Sequence, residues 1–170
     1  PADAVETAEC WALALATRDA PSAMVLTRQA VPAVRTGDGD ENRCARGGYV
    51  LAPAAGDARV TLIATGSEVS VALAAAEILA AENIAASVVS MPCCELFDAQ
   101  PADYRQRVLG EQTVRVAVEA GVSLGWDRYI GSEGGFVGMT GFGASAPGRD
   151  LFPHFGITPE AVAEAARIRL

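Results

Sequence analysis

The ten residues Val60-Thr-Leu-Ile-Ala-Thr-Gly-Ser-Glu-Val69 constrain the fold of this chain more than any other stretch. A run of apolar and β-branched residues halts at Gly66-Ser67, and an Ala/Leu/Glu-rich pattern of helical period follows directly. That switch marks a buried strand, a tight turn and a helix start, the opening of an α/β unit. Hydrophobic residues make up 51% of the chain but aromatics only 6%. The apolar mass is therefore small and aliphatic, which suits helices lying close on a sheet. A chain of 170 residues buries roughly 70% of its unfolded surface on folding, enough for a full core.

The rest of the sequence extends this unit in both directions. Asp3 to Ala16 reads as a helix, with Asp3 as its cap and Glu6 completing a capping-box-like pair. Asp19-Ala-Pro-Ser22 breaks it, and Ala23 to Thr27 reads as a short apolar strand ending at Arg28-Gln29. A polar, glycine-bearing stretch from Arg35 to Gly48 is the best linker candidate. One helix and one strand cannot bury their own faces, so the part before the linker reads as the remnant of a unit whose body lies elsewhere.

Beyond it, strands are expected at Gly48–Ala52, Arg59–Thr65, Ala86–Ser90, Thr113–Val118 and Gly135–Gly138. Helices are expected at Gly66–Ala81, Pro101–Val108 and Val122–Tyr129, then from Ser145-Ala-Pro147 to Gly156, and last from Thr158-Pro-Glu160 onward. In the first of these, Val69, Leu73, Ala76 and Ala80 share a face, Thr65 or Ser67 can cap the start, and Asn83 suits the exit. Strands alternating with helices imply βαβ crossovers. Only Pro53 to Ala58 joins the first two strands, too short for a crossover helix, so that pair is antiparallel or non-adjacent. The expected fold is a three-layer α/β/α sandwich with a mostly parallel, mixed five-stranded sheet, preceded by a partial α/β remnant.

Charge and cysteine usage narrow the partners. The net charge is -8 and all basic residues are arginine, a poor basis for nucleic-acid binding, where phosphate contacts supply most of the affinity. No apolar run approaches the ~18 residues of a membrane span, and no signal peptide is visible. Cys10, Cys44, Cys93 and Cys94 lack metal-ligand spacing, which reads as reduced thiols in a cytoplasmic protein. The start at Pro1 without Met reads as a processed chain or a fragment.

Chemistry-bearing patterns are sparse. Thr65-Gly-Ser-Glu68 sits where open α/β sheets bind ligands, yet a single glycine is no phosphate loop and Glu68 would repel an anion, so a capped turn is preferred. Arg28 falls at the end of an apolar strand, and its fork suits a phosphate, although from the residues alone an ordinary surface arginine is the preferred reading. His154, the only histidine, has no nucleophile at recognisable spacing and reads as structural. Glu119 follows a strand but lacks an acid/base partner. The glycine-rich run Gly138 to Pro147 is expected to let the backbone approach another surface, at an interface or a ligand. No complete active site emerges: no nucleophile with its base, no metal cluster and no phosphate loop.

Taken together, several segments resemble the C-terminal part of the transketolase family. They are Val25-Leu-Thr-Arg-Gln29, Ala45-Arg-Gly-Gly-Tyr-Val-Leu51, Ile63-Ala-Thr-Gly-Ser-Glu-Val69, Val88-Val-Ser-Met-Pro92, Glu95-Leu-Phe-Asp98, Arg115-Val-Ala-Val-Glu-Ala-Gly121, Gly138-Met139, Phe142-Gly-Ala-Ser-Ala-Pro147 and Phe155-Gly-Ile-Thr158. They run in order across almost the whole chain. The resemblance implies that residues 1–45 end a pyrimidine-binding domain and its linker, and that residues 46–170 form a transketolase-type C-terminal domain. It implies a parent that uses thiamine diphosphate and a divalent cation, Mg or Ca, at a homodimer interface. That parent moves a two-carbon ketol group between sugar phosphates in the pentose phosphate pathway. By the same resemblance Arg28 binds the substrate phosphate, while catalytic, cofactor and metal residues lie outside this chain. The 170 residues alone are then expected to bind no cofactor and turn over no substrate. Two other readings stand beside it: a free-standing α/β module that takes a small anion at Thr65–Glu68, and an interaction domain with no ligand.

Overall fold

The computed structural model describes residues 1–36 and 41–170. Its first element, α1 (Ala4–Ala16), is capped by the Asp3 carboxylate, which accepts the Glu6 N–H at 2.9 Å. The sheet strands are β1 (Tyr49–Ala52), β2 (Val60–Ala64), β3 (Ala86–Ser90), β4 (Val114–Val118) and β5 (Gly135–Val137). They lie in the order β1-β3-β2-β4-β5, with only β1 antiparallel, against β3. The short β1–β2 link is thus both non-adjacent and antiparallel, as its length requires. The helices between and after the strands are α2 (Val69–Ala81), α3 (Cys94–Asp98), α4 (Ala102–Leu109), α5 (Asp127–Ile130), α6 (Gly148–His154) and α7 (Pro159–Arg167).

Alternation along the strands builds two cores. Val60, Leu62, Ala64, Val88, Val116 and Val118 face α2 and α7, meeting Val69, Ala72, Ala75, Leu79, Val162 and Ala166. Ile63, Val89 and Ala117 face the other way, onto Phe97 of α3, Val108 and Leu109 of α4, and Trp126, Tyr129 and Ile130 at α5. This is the three-layer α/β/α sandwich. Every side chain named here is buried, at about 25 cal/mol per Å² of apolar surface removed from water. Small residues such as Ala72 and Ala75 let α2 sit close on the strands.

Several local expectations are corrected. Residues 23–27 form no strand: the segment is extended, but no neighbouring strand among the described residues pairs with it, and Val25 is 85% exposed. The Val122–Tyr129 helix shrinks to Asp127–Ile130, because a turn over Ser123–Trp126 precedes it. In α2 the buried stripe runs through Val69, Ala72, Ala75 and Leu79, so Ala80 is exposed and Leu73 and Ala76 sit at the margin. Neither Thr65 nor Ser67 caps α2 with its side chain; a 3-10 turn over Gly66–Glu68 leads into it instead. Asn83 does end α2, at a φ of 60°. The last helix starts as expected, with the Thr158 hydroxyl accepting the Ala161 N–H at 3.2 Å.

The linker candidate is only partly open to description, since Gly37-Asp-Gly-Asp40 lies outside the described residues. Its flanks are firmly held. Arg35 is buried against Glu9, and Asn42 caps a 3-10 turn, Arg43–Arg46, that leads through Gly47 into β1. Gly47 has a φ of 77°, and a Cβ there would lie 2.2 Å from the Phe97 backbone nitrogen, so only glycine fits.

Candidate functional site

Glu6 is a fully buried carboxylate where α1 meets the sheet. Its Oε1 accepts the Tyr49 hydroxyl and the Ser90 hydroxyl, each at 2.6 Å, and its Oε2 accepts the Ala2 N–H at 2.6 Å. Tyr49 and Ser90 are register partners across β1 and β3, so one carboxylate ties a strand pair to the helix. The expected capping-box role is corrected: Glu6 turns inward to the sheet rather than back to the Asp3 backbone. Around it, Asp3 accepts the Val34 and Arg35 N–H groups, and Glu9 pairs with Arg35 at 2.6 Å and accepts the Cys44 N–H at 3.0 Å. Burial and the neighbouring Glu6 carboxylate push the Tyr49 hydroxyl well above its ordinary range, so it stays a donor. The spacing of Glu6, Glu9, Cys10 and Leu13 reveals the inward face of α1, but not that a carboxylate would centre it.

The winding order of the chain across the sheet reverses between the parallel neighbours β2 and β4, the place where open α/β sheets bind ligands. Here that crevice is filled by a side chain. Gly66 adopts a φ of 56°, and the turn drops Glu68 into the gap, where its Oε1 accepts the Ala120 N–H at 3.0 Å and its Oε2 the Ser67 hydroxyl at 3.0 Å. Burial first, and the nearby Glu119 carboxylate, raise the Glu68 pKa above its ordinary value. A buried acid in this position disfavours an anionic ligand. Glu119 itself accepts the Trp126 indole N–H at 2.6 Å, a pin for the loop after β4.

Arg28 lies at a bend after the extended segment, exposed, with no ion pair or hydrogen bond from its guanidinium among the described residues. The next residue lies against the start of α6. A Cβ at Gly148 would lie 1.6 Å from the Gln29 Oε1, so the Gln29 amide rests on the glycine that opens α6. The glycine-rich run thereby lies beside the Arg28 segment. Within that run Gly138 approaches the backbone of Glu119 and Gly121 closely, whereas Gly141 and Gly143 face open space. Phe142 is fully exposed. His154 is exposed and packs edge-on to Phe155, with ring centroids 4.8 Å apart. A separate open cleft of about 350 Å³ lies at the outer edge of β1, where Arg43 stacks on Tyr49 and Arg46 on Tyr104.

Among the described residues no group of His, Cys, Asp or Glu is arranged to hold a metal ion, and no helix is long and apolar enough to cross a membrane. With Glu68 in the crevice and no ligand set for a divalent cation, the described residues do not fit thiamine diphosphate and its metal.

The fold defines a doubly wound α/β/α domain with α1 packed beside its outer strand. The profile of the transketolase-like TK C-terminal domain matches residues 47–158. The chain belongs to the transketolase family. It is 58% identical over 170 residues to the transketolase of Cereibacter sphaeroides, covering 100% of this chain and 26% of that protein. The transketolase of Leishmania mexicana superimposes with a TM-score of 0.88 at 43% identity, over 99% of this chain and 24% of that one. A Pichia stipitis transketolase in complex with sedoheptulose 7-phosphate gives a TM-score of 0.88 at 35% identity, with the same coverage. The chain thus spans about a quarter of the length of the relatives it matches.

Proposed function

We propose that these residues are the C-terminal part of a thiamine-diphosphate-dependent transketolase. The parent transfers a two-carbon ketol group between sugar phosphates of the pentose phosphate pathway, as a cytoplasmic homodimer with a divalent cation. Residues 1–45 close its pyrimidine-binding domain and residues 46–170 form its C-terminal domain. The full-length relatives and the Pichia stipitis complex with a sugar phosphate support this reading. In the parent, the chain holds the α1 end of the preceding domain in place and presents Arg28 at the substrate edge.

The observation that carries the substrate role is the exposed guanidinium of Arg28, which has no partner among the described residues and precedes Gln29, whose amide lies against Gly148. A planar fork with no partner among the described residues suits bidentate phosphate binding. Arg28→Ala in the full-length enzyme is expected to raise KM for phosphorylated substrates roughly 10- to 100-fold, the value of a charge-assisted contact. kcat should change little, and Arg28→Lys should recover only part of the loss. Steady-state kinetics with a phosphorylated acceptor and its unphosphorylated counterpart check this. An unchanged KM removes Arg28 from the substrate site.

The reading as a free-standing anion-binding module is the weaker one, because its proposed crevice holds Glu68. The chain alone binds no cofactor and turns over no substrate.

A further inference from the structure

The chain carries 21 acidic residues against 13 basic ones, yet the cleft of about 350 Å³ at the outer edge of β1 reverses that balance. Among the described residues Arg43, Arg46 and Arg107 line it with a single carboxylate, Glu41. Arg43 and Arg46 open and close one 3-10 turn, where residues three apart project to the same side. Arg107 reaches the cleft from α4. It pairs with Asp103 at 2.8 Å, but both side chains are more than half exposed, so water screens that pair.

Two of the three guanidinium groups are held in advance of any ligand. Arg43 lies 4.3 Å from the centre of the Tyr49 ring and donates to the Val50 carbonyl. Arg46 lies 4.8 Å from the centre of the Tyr104 ring. Both rings are fixed in turn, since the Tyr49 hydroxyl donates to Glu6 at 2.6 Å and the Tyr104 hydroxyl donates to the Gly48 carbonyl at 2.8 Å. A stacked guanidinium still has N–H groups free along its edge, and fixing it beforehand lowers the entropy lost on binding. Neither Arg43 nor Arg46 is within ion-pair distance of a carboxylate among the described residues. Stacking on tyrosine explains where each of these two lies, but not why a third arginine faces the same cleft.

We propose that this cleft is a binding site for a phosphate group, separate from the Arg28 segment and independent of the role assigned to it. Two unneutralised arginines match the charge of a phosphate monoester, about -1.5 to -2 near neutral pH. Their forks suit its oxygens, with Arg107 closing from the α4 side. The volume is at the small end for a ligand site, which fits free phosphate or a compact phosphate ester.

The test is arginine labelling of the full-length protein with phenylglyoxal, followed by digestion after glutamate and peptide mapping. Labelling is timed in sodium chloride alone, in inorganic phosphate and in methyl phosphate, all at one ionic strength. With anion well above its dissociation constant, labelling of Arg46 and Arg107 should slow at least about threefold by mass action. Arg128, exposed and paired with Asp98 on α5, should be labelled at an unchanged rate. In Arg46→Ala the protection of Arg107 should be lost. Protection by both anions identifies a site for the phosphate group itself, whereas protection by methyl phosphate alone identifies an ester site and by inorganic phosphate alone a free-phosphate site. The proposal is overturned if neither anion protects, if Arg128 slows equally, or if Arg46 does not react even in chloride, which would mean that the rest of the protein covers the cleft. Arg28 is read from the same maps, so the proposed substrate site stands or falls separately.

Discussion

Glu6 shows how much one side chain can hold together. Three donors from three parts of the chain converge on its carboxylate, all out of water. Glu6→Ala leaves those donors unsatisfied and should cost about 3 kcal/mol, whereas Tyr49→Phe removes one donor and should cost about 1 kcal/mol. Urea unfolding of both variants, and of the double variant, checks this; the double variant should fall short of the sum because the two groups share a bond. Acid sensitivity belongs to the residues alongside. Burial works against the ionised form of Asp3, but the N–H groups of Glu6, Arg35 and Val34 outweigh it and hold the pKa below its ordinary value. Glu9 is lowered likewise, with burial opposed by the Arg35 guanidinium and the Cys44 N–H. Carboxylates depressed in the folded state stabilise it above their unfolded pKa and lose that contribution as pH falls through the folded value. Stability from these two groups should therefore be constant from neutral pH down to about pH 5, and decline below about pH 4. Asp3→Asn should lower stability at neutral pH and flatten the decline, as read by urea midpoints across the acid range.

At the scale of elements, the α/β/α plan was readable because local signals agreed with the global one. The stop at Gly66-Ser67, the alternation of Val114, Val116 and Val118, and the Thr158-Pro159 start each name an element and its end. Residues 23–27 misled for a physical reason: an apolar, β-branched run becomes a strand only with a neighbour to bond, and none pairs with it among the described residues. The α2 face was read one step off because nearly every position there is apolar, leaving little contrast to locate the stripe. The filling of the switch-point crevice by Glu68 was half legible. The sequence placed an acid in the first turn, but its bond to Ala120 spans 52 residues and depends on the fold. The turn into β1 offers a sharp test. Gly47→Ala meets both a φ of 77° and a backbone atom at 2.2 Å, and should destabilise the chain by at least about 3 kcal/mol. Gly56→Ala meets open space at a φ of 100° and should cost only backbone strain, about 1–2 kcal/mol. Thermal unfolding separates the two.

At the scale of the whole molecule, the division of labour is the main conclusion. The sheet and its helices bury two complete cores, while Val25, Phe142 and the outer side of α1 near Trp11 and Leu15 stay exposed. An apolar surface of that kind suits a chain with further protein to pack against, in keeping with relatives about four times its length. In the proposed function these residues support and edge a transketolase site without containing its cofactor machinery. Calorimetric titration of the 170-residue chain with thiamine diphosphate and magnesium tests that claim most directly, with the full-length enzyme as the positive control. Saturable heat is expected for the full-length enzyme and none for the chain. Saturable cofactor binding by the chain alone would contradict that division and place a cofactor site within these 170 residues.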